Sequence, residues 1–125
     1  MLVSTLALPD GICFGAPTLK APLGIVHATA ELPPACYGLS IEEEFAQSAS
    51  EQAKRRVEIL QAAAGATGQV FVNSGDPAKI VVRTAKDFDA DLLVIGRHSR
   101  AGIAGYLRHN AYDILRDSPC PVIRI

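Results

Sequence analysis

The residues best placed to do chemistry lie around Gly96. Asp91-Leu92-Leu93-Val94-Ile95-Gly96 is an apolar run that ends in glycine, and a polar loop follows from His98 to Gly105. A strand that passes through glycine into a loop and then a helix aims backbone N–H groups and the positive helix end at one spot. Such a spot suits a phosphate. Arg97, Arg100 and Arg108 add positive charge there, for phosphates or for an acidic partner. A solvated surface cluster is the plain alternative for each arginine. Many α/β domains carry a loop of this kind and bind nothing, so pattern alone leaves its occupancy open.

Other chemistries find less support. The chain has no GxSxG elbow, no GxxxxGK[ST] loop and no HExxH motif. Its three cysteines, Cys13, Cys36 and Cys120, are far apart and form no CxxC pair. They read as buried or bystander thiols of a reducing cytoplasm. Glu42-Glu43-Glu44 suits the positive end of a helix better than it suits a catalytic carboxylate pair. The expectation is a protein with no catalytic residue and no bound metal.

The elements that must position the loop can be read along the chain. Leu2 to Leu8 reads as a buried strand, with Pro9-Asp10-Gly11 as its turn. Ile12 to Leu23 contains Gly15, Pro17 and Pro22, and proline inside a helix removes a hydrogen bond and clashes with the preceding turn. No good helix is expected there. Gly24 to Ala30 is a second strand, stopped by Pro33-Pro34. Ser40-Ile41-Glu42-Glu43 forms a capping box. Ile41, Phe45, Ala49, Ala53, Val57, Leu60 and Ala64 then recur at helical spacing as an expected apolar face. Gly65 and Gly68 offer the stop.

Gln69 to Val72 is a short strand, and Asp76-Pro77 starts the next helix as cap and first residue. Ile80, Val81, Ala85 and Phe88 make its buried stripe. After the strand ending at Gly96, Tyr106, Leu107, Ala111, Ile114 and Leu115 mark a third helix, ended by Ser118-Pro119. Pro121 to Ile125 is the last strand. Strands alternating with helices predict an α/β fold with a parallel sheet and right-handed crossovers. Ligands of such sheets bind beyond the carboxyl ends of the strands, where strand order reverses. Those ends fall near Asp10, His27 to Ala30, Asn73-Ser74-Gly75 and Gly96 to Gly105.

Composition narrows the function classes. The 125 residues are 49% hydrophobic and 20% charged, enough apolar weight for one domain with a real core. The 12 basic and 13 acidic residues leave a formal charge of −1, which argues against a nucleic-acid binder working by bulk charge. No apolar run reaches the ~18 residues of a membrane span. The N-terminus lacks the basic region of a signal peptide. These features point to a cytoplasmic location.

Three blocks carry a family resemblance. They are Gly75-Asp76-Pro77-Ala78, then Ala90-Asp91-Leu92-Leu93-Val94-Ile95-Gly96-Arg97-His98-Ser99-Arg100-Ala101-Gly102, then Ser118-Pro119-Cys120-Pro121-Val122. In residues and spacing they resemble the universal stress protein family, specifically from about Val70 to Ile125, more loosely from Gly24, and poorly before Gly24. The resemblance implies a Rossmann-like open parallel sheet of about five strands with helices on both faces, the first helix here missing or irregular. It also implies a homodimer, seamed by the C-terminal strand Val122 to Ile125.

The family has a branch that binds ATP or another adenine nucleotide and a branch that lacks the nucleotide signature. That signature is glycine, two residues, glycine, nine residues, then glycine and serine or threonine. The matching positions here are Gly96, Ser99, His109 and Asn110, so only the first is kept. Ser99 adds a small Cβ and hydroxyl. His109 puts an imidazole where a triphosphate would meet bare backbone, and reads otherwise as a helix-start histidine. Asn110 retains the ability to cap a helix but lacks the compact hydroxyl.

Arg100 of this loop joins Gly96, Ser99, His109 and Asn110 as a candidate residue of the degenerate nucleotide site. Asp10 matches the family's acidic residue at the end of the first strand, with a simple turn residue as the rival reading. The backbone of His27 to Ala30, with Ala28 as the candidate, would meet the adenine edge. The expected function is a homodimeric stress-response or regulatory domain spanning residues 1–125, with residues 1–23 atypical and with weak or no ATP binding. No nucleic-acid or membrane partner is expected. The alternative is an ATP-binding member of the family with slow hydrolysis. The length missing between Asp10 and Gly24 predicts an exposed apolar patch, a partner that covers it, or a chain start that does not represent the intact protein.

Overall fold

The computed structural model of the protein describes residues 2–4, 21–29, 42–96 and 106–124; the side chains of 2–4, 42–43 and 106–109 lie outside that description. Among the described residues the elements are, in order, β1 (Leu2–Ser4), β2 (Gly24–Thr29), α1 (Glu42–Ala63), β3 (Gln69–Ser74), α2 (Pro77–Asp87), β4 (Leu93–Ile95), α3 (Tyr106–Asp117) and β5 (Val122–Arg124). The strands form one sheet of order β3-β2-β1-β4-β5, and every pairing is parallel. This is the expected α/β class.

Alternation along the strands sorts the core into two layers. Ile25 of β2 and Val94 of β4 join Leu23, Val57 and Ala66 on the α1 face. Val26, Leu93 and Ile95 join Ala78, Val81, Ala85 and Ile114 on the face covered by α2 and α3. Ile25 and Leu93 are fully buried, as central parallel strands require. Phe71 and Phe88 meet edge to face at 5.5 Å between ring centres, closing the α2 side.

Helix α2 starts as its sequence dictates. Asp76 Oδ1 accepts hydrogen bonds from the Ala78 and Lys79 backbone N–H groups, at 2.9 and 3.1 Å, and Pro77 fills the first position. The turn after α1 needs both of its glycines. Gly65 adopts φ 62°, and a Cβ on Gly68 would stand 2.7 Å from the Leu23 carbonyl oxygen.

The expected apolar face of α1 needs correction. Ala53 and Val57 are buried, but Phe45 is 56% exposed, Leu60 is 42% exposed and Ala64 is also exposed. Helix geometry explains the first case. Twenty-two residues span about 33 Å, whereas six-residue strands span about 20 Å, so the first turns overhang the sheet. At the other end the contact position is taken by polar Gln61, 7% exposed. Its side-chain amide donates to the Gly68 carbonyl at 3.3 Å and accepts from the Gly68 N–H at 3.2 Å. A buried amide is tolerated because these bonds replace water. Leu115 of α3, expected in the stripe, is likewise largely exposed, while Ile114 is buried.

The strand boundaries shift modestly. β3 extends two residues past Val72, to Ser74, and β4 is confined to Leu93–Ile95. The capping serine Ser40 and the segment from Thr5 to Lys20, which holds the C-terminal half of the expected first strand, lie outside the described residues.

Candidate functional site

The strand order reverses between β1 and β4. β1 pairs with β2 on one side and with β4 on the other, so successive connections diverge there. Gly96 follows β4 immediately and stands, half-buried, at the carboxyl end of that switch point. The chain then returns as α3, whose last residue leads through Ser118–Pro121 to the amino end of β5. A helix that leaves the carboxyl edge of β4 and delivers the chain to the amino edge of β5 begins at the carboxyl edge. The first turn of α3, with its four N–H groups lacking helical partners, therefore belongs to the edge that Gly96 occupies.

The neighbouring corner is closed by its own hydrogen bonds. Thr29 and Ser74 stand opposite each other at the ends of β2 and β3. The Gly75 N–H donates to the Thr29 carbonyl at 3.1 Å, and the Thr29 hydroxyl donates to the Asn73 carbonyl at 3.4 Å. Gly75 adopts φ 133°, which turns the chain directly into the Asp76 cap. Ala28, partly buried, sits one residue before this corner and opposite Asn73. Ala28 and Gly96 thus share the carboxyl edge, separated by β1.

Of the other expected site residues, Asn110 is described and half-buried within α3. Asp10, Ser99 and Arg100 lie outside the described residues, as do Arg97 and His98, and so does the His109 side chain. One expectation is corrected here. α3 begins at Tyr106, so His109 and Asn110 are its fourth and fifth residues. Asn110 is not a cap. Its backbone N–H falls at the position that bonds back to the Tyr106 carbonyl in a regular helix, and so is not offered to a ligand.

Two further polar residues stand near the strands. His27 of β2 shares a face with Ile25, under α1, by strand alternation. Burial, and then the positive charge of Arg56, hold its pKa below the ordinary 6.5. Arg124 closes β5 opposite Ile95, the residue before Gly96. Alternation in Val122-Ile123-Arg124 was the only sequence signal for it.

A separate open groove of about 580 Å³ runs along the outside of α2 and α3, lined by Lys79, Arg83, Lys86, Asp113, Arg116 and Asp117. Its charges largely answer one another. Arg116 bonds Asp117 at 2.8 Å and Asp113 at 3.2 Å, and the first contact holds the Asp117 carboxyl below its usual range. Among the described residues no three His, Cys, Asp or Glu side chains gather as a metal site, and no helix is long and apolar enough to cross a membrane.

A parallel sheet of order β3-β2-β1-β4-β5, layered by helices and ending in glycine at its switch point, defines the Rossmann-like class of α/β proteins. Within that class the sequence assignment is specific. The model of the universal stress protein family matches residues 15–125, and the chain belongs to that family. It is 26% identical over 108 residues to universal stress protein A homolog 2 of Coxiella burnetii, covering 84% of this chain and 74% of that one. Among solved structures it resembles a universal stress protein in complex with cAMP, with TM-score 0.62, 25% identity, and coverage of 99% and 93% of the two chains. The fold also matches universal stress protein UspA from Lactobacillus plantarum, with TM-score 0.68, 15% identity, and coverage of 100% and 97%.

Proposed function

We propose that this universal stress protein is a cytoplasmic, homodimeric regulatory module, one domain over residues 1–125. In this reading its carboxyl edge takes an adenine nucleotide with one phosphate in preference to ATP, and it is not an enzyme. The observation that carries the reading is the start of α3 at Tyr106. A triphosphate needs several bare backbone N–H groups beyond the first phosphate. Here the last two positions of the family's binding signature are His109 and Asn110, already inside the helix. The Asn110 N–H is committed to helix bonding, and a histidine stands where glycine would let backbone approach.

A single phosphate asks for less. Gly96 at the switch point and the first N–H groups of α3 supply a positive cradle of that size. The similarity to a structure holding cAMP supports an adenosine ligand with one phosphate. Gly96, Ser99 and Arg100 would face the phosphate, and Ala28 and Asp10 the nucleoside. The dimer rests on β5, an edge strand whose unpaired backbone groups and half-exposed Ile123 are a liability unless a second copy covers them.

Calorimetry with AMP, cAMP, ADP and ATP tests the ligand. AMP or cAMP binding tighter than ~100 μM, about −5.5 kcal/mol, with ATP at least tenfold weaker supports the reading. Light scattering tests the assembly: a monomer at micromolar concentration ends the dimer proposal.

A further inference from the structure

We propose that Arg124 at the end of β5 is a phosphate-contacting, specificity-determining residue of this site; the inference rests on the single-phosphate nucleotide reading above. Arg124 is placed by backbone register. Leu93 stands opposite Val122, Val94 opposite Ile123, and Ile95 opposite Arg124. Residues paired across a parallel ladder share a face. Leu93 and Ile95 belong to the core beneath α2 and α3, and Val122 packs against that core. Arg124 therefore leaves the sheet on the α3 side, at the level of Ile95, one residue short of Gly96.

That is the side from which the first turn of α3 approaches the carboxyl edge. Arg124 is exposed, and among the described residues no carboxylate or hydrogen-bond acceptor engages its guanidinium. The contrast with Arg83 and Arg116 is direct, since each of those is paired with an aspartate on its own helix. An unpaired guanidinium beside an N–H cradle offers two parallel donors to phosphate oxygens. Pairing of β5 with a second copy would consume backbone groups in the plane of the sheet and leave this side chain, perpendicular to it, available.

The geometry also bears on specificity. A guanidinium on the β5 side, facing the helix start, closes the cradle laterally around one phosphate. Arg124 would compensate for the donors withdrawn by the early start of α3. It gives adenosine itself nothing to gain.

The test is calorimetry on the full chain with AMP, adenosine and inorganic phosphate, for wild type, Arg124→Gln, Arg124→Lys and the control Arg83→Gln. Thermal unfolding of each variant checks that the fold is intact. Arg124→Gln should weaken AMP about tenfold or more, as expected for losing a charged hydrogen bond. Adenosine should change less than about twofold, Arg124→Lys should recover part of the loss, and Arg83→Gln should behave as wild type. Unchanged AMP binding by Arg124→Gln, with wild type still binding AMP, overturns this inference and leaves the nucleotide reading standing. Equal losses for AMP and adenosine also overturn it, because they mark a structural effect. If wild type binds neither AMP nor adenosine, the nucleotide reading fails and Arg124 falls with it.

Discussion

Among the described residues, the two faces of the sheet are packed differently. On the α2–α3 face, Val26, Ala78, Val81, Ala85, Leu93, Ile95 and Ile114 form one continuous buried cluster. On the α1 face the cluster of described residues is Leu23, Ile25, Val57, Ala66 and Val94, and beside it stands a buried polar amide, Gln61. The α1 helix also leaves Phe45, Ile59 and Leu60 exposed. The candidate phosphate cradle belongs to the α2–α3 face, where α3 begins. A binding edge gains precision from rigid support, so the difference has a functional sense.

The sharpest way to break the comparison is to excavate each face. Leu93→Ala should cost about 2–5 kcal/mol, since it removes a fully buried side chain from a packed layer. Val57→Ala on the α1 face should cost about 1.5 kcal/mol, from two lost methyl groups. Urea denaturation of both variants decides it; equal losses would erase the distinction between the faces.

Gln61→Ala comes next. It leaves the Gly68 N–H and carbonyl without their present partners and should cost about 1–3 kcal/mol by the same measurement. A neutral result would show that water reaches this end of α1 freely. On the opposite face, Asp76→Ala removes the cap of α2 and should cost about 1 kcal/mol. Asp76→Ser should recover most of it.

The mildest expected effect separates the faces by pH. The folded-state pKa of His27 lies below 6.5, so between those two values the unfolded chain binds more protons than the folded one. Stability should therefore fall as pH drops through 6.5 and level off below the folded pKa. His27→Gln should flatten that slope, as read from unfolding midpoints between pH 5 and 8. A slope that persists in the variant would assign the titration elsewhere.

Much of this architecture was legible in the sequence because local signals and burial agreed. The Asp76-Pro77 start and the glycine-ended β4 run follow from backbone chemistry alone, and both were found. Ile80, Val81, Ala85 and Phe88 repeat at helical spacing beside a sheet that buries or partly buries all four. The reading failed where burial depends on how far a partner extends. Nothing in the spacing of Phe45 says that the helix outruns the sheet, and nothing in Gln61 says that its amide replaces an apolar contact. Gly96 could be placed at a switch point from strand order, and the helical spacing that begins at Tyr106 marked the onset of α3 found there. That onset changes the meaning of His109 and Asn110. Arg124 escaped notice because its importance comes from pairing with Ile95, a relation between strands far apart in sequence.

The central claim is that the edge at Gly96 retains room for one phosphate and has lost the rest of the triphosphate site. Calorimetric titration of AMP and ATP into wild type and into the His109→Gly, Asn110→Ser double variant tests it most directly. The account predicts that wild type prefers AMP by about tenfold or more and that the double variant gains about tenfold in ATP affinity. ATP binding to wild type as tightly as AMP, or no gain for ATP in the double variant, would contradict it.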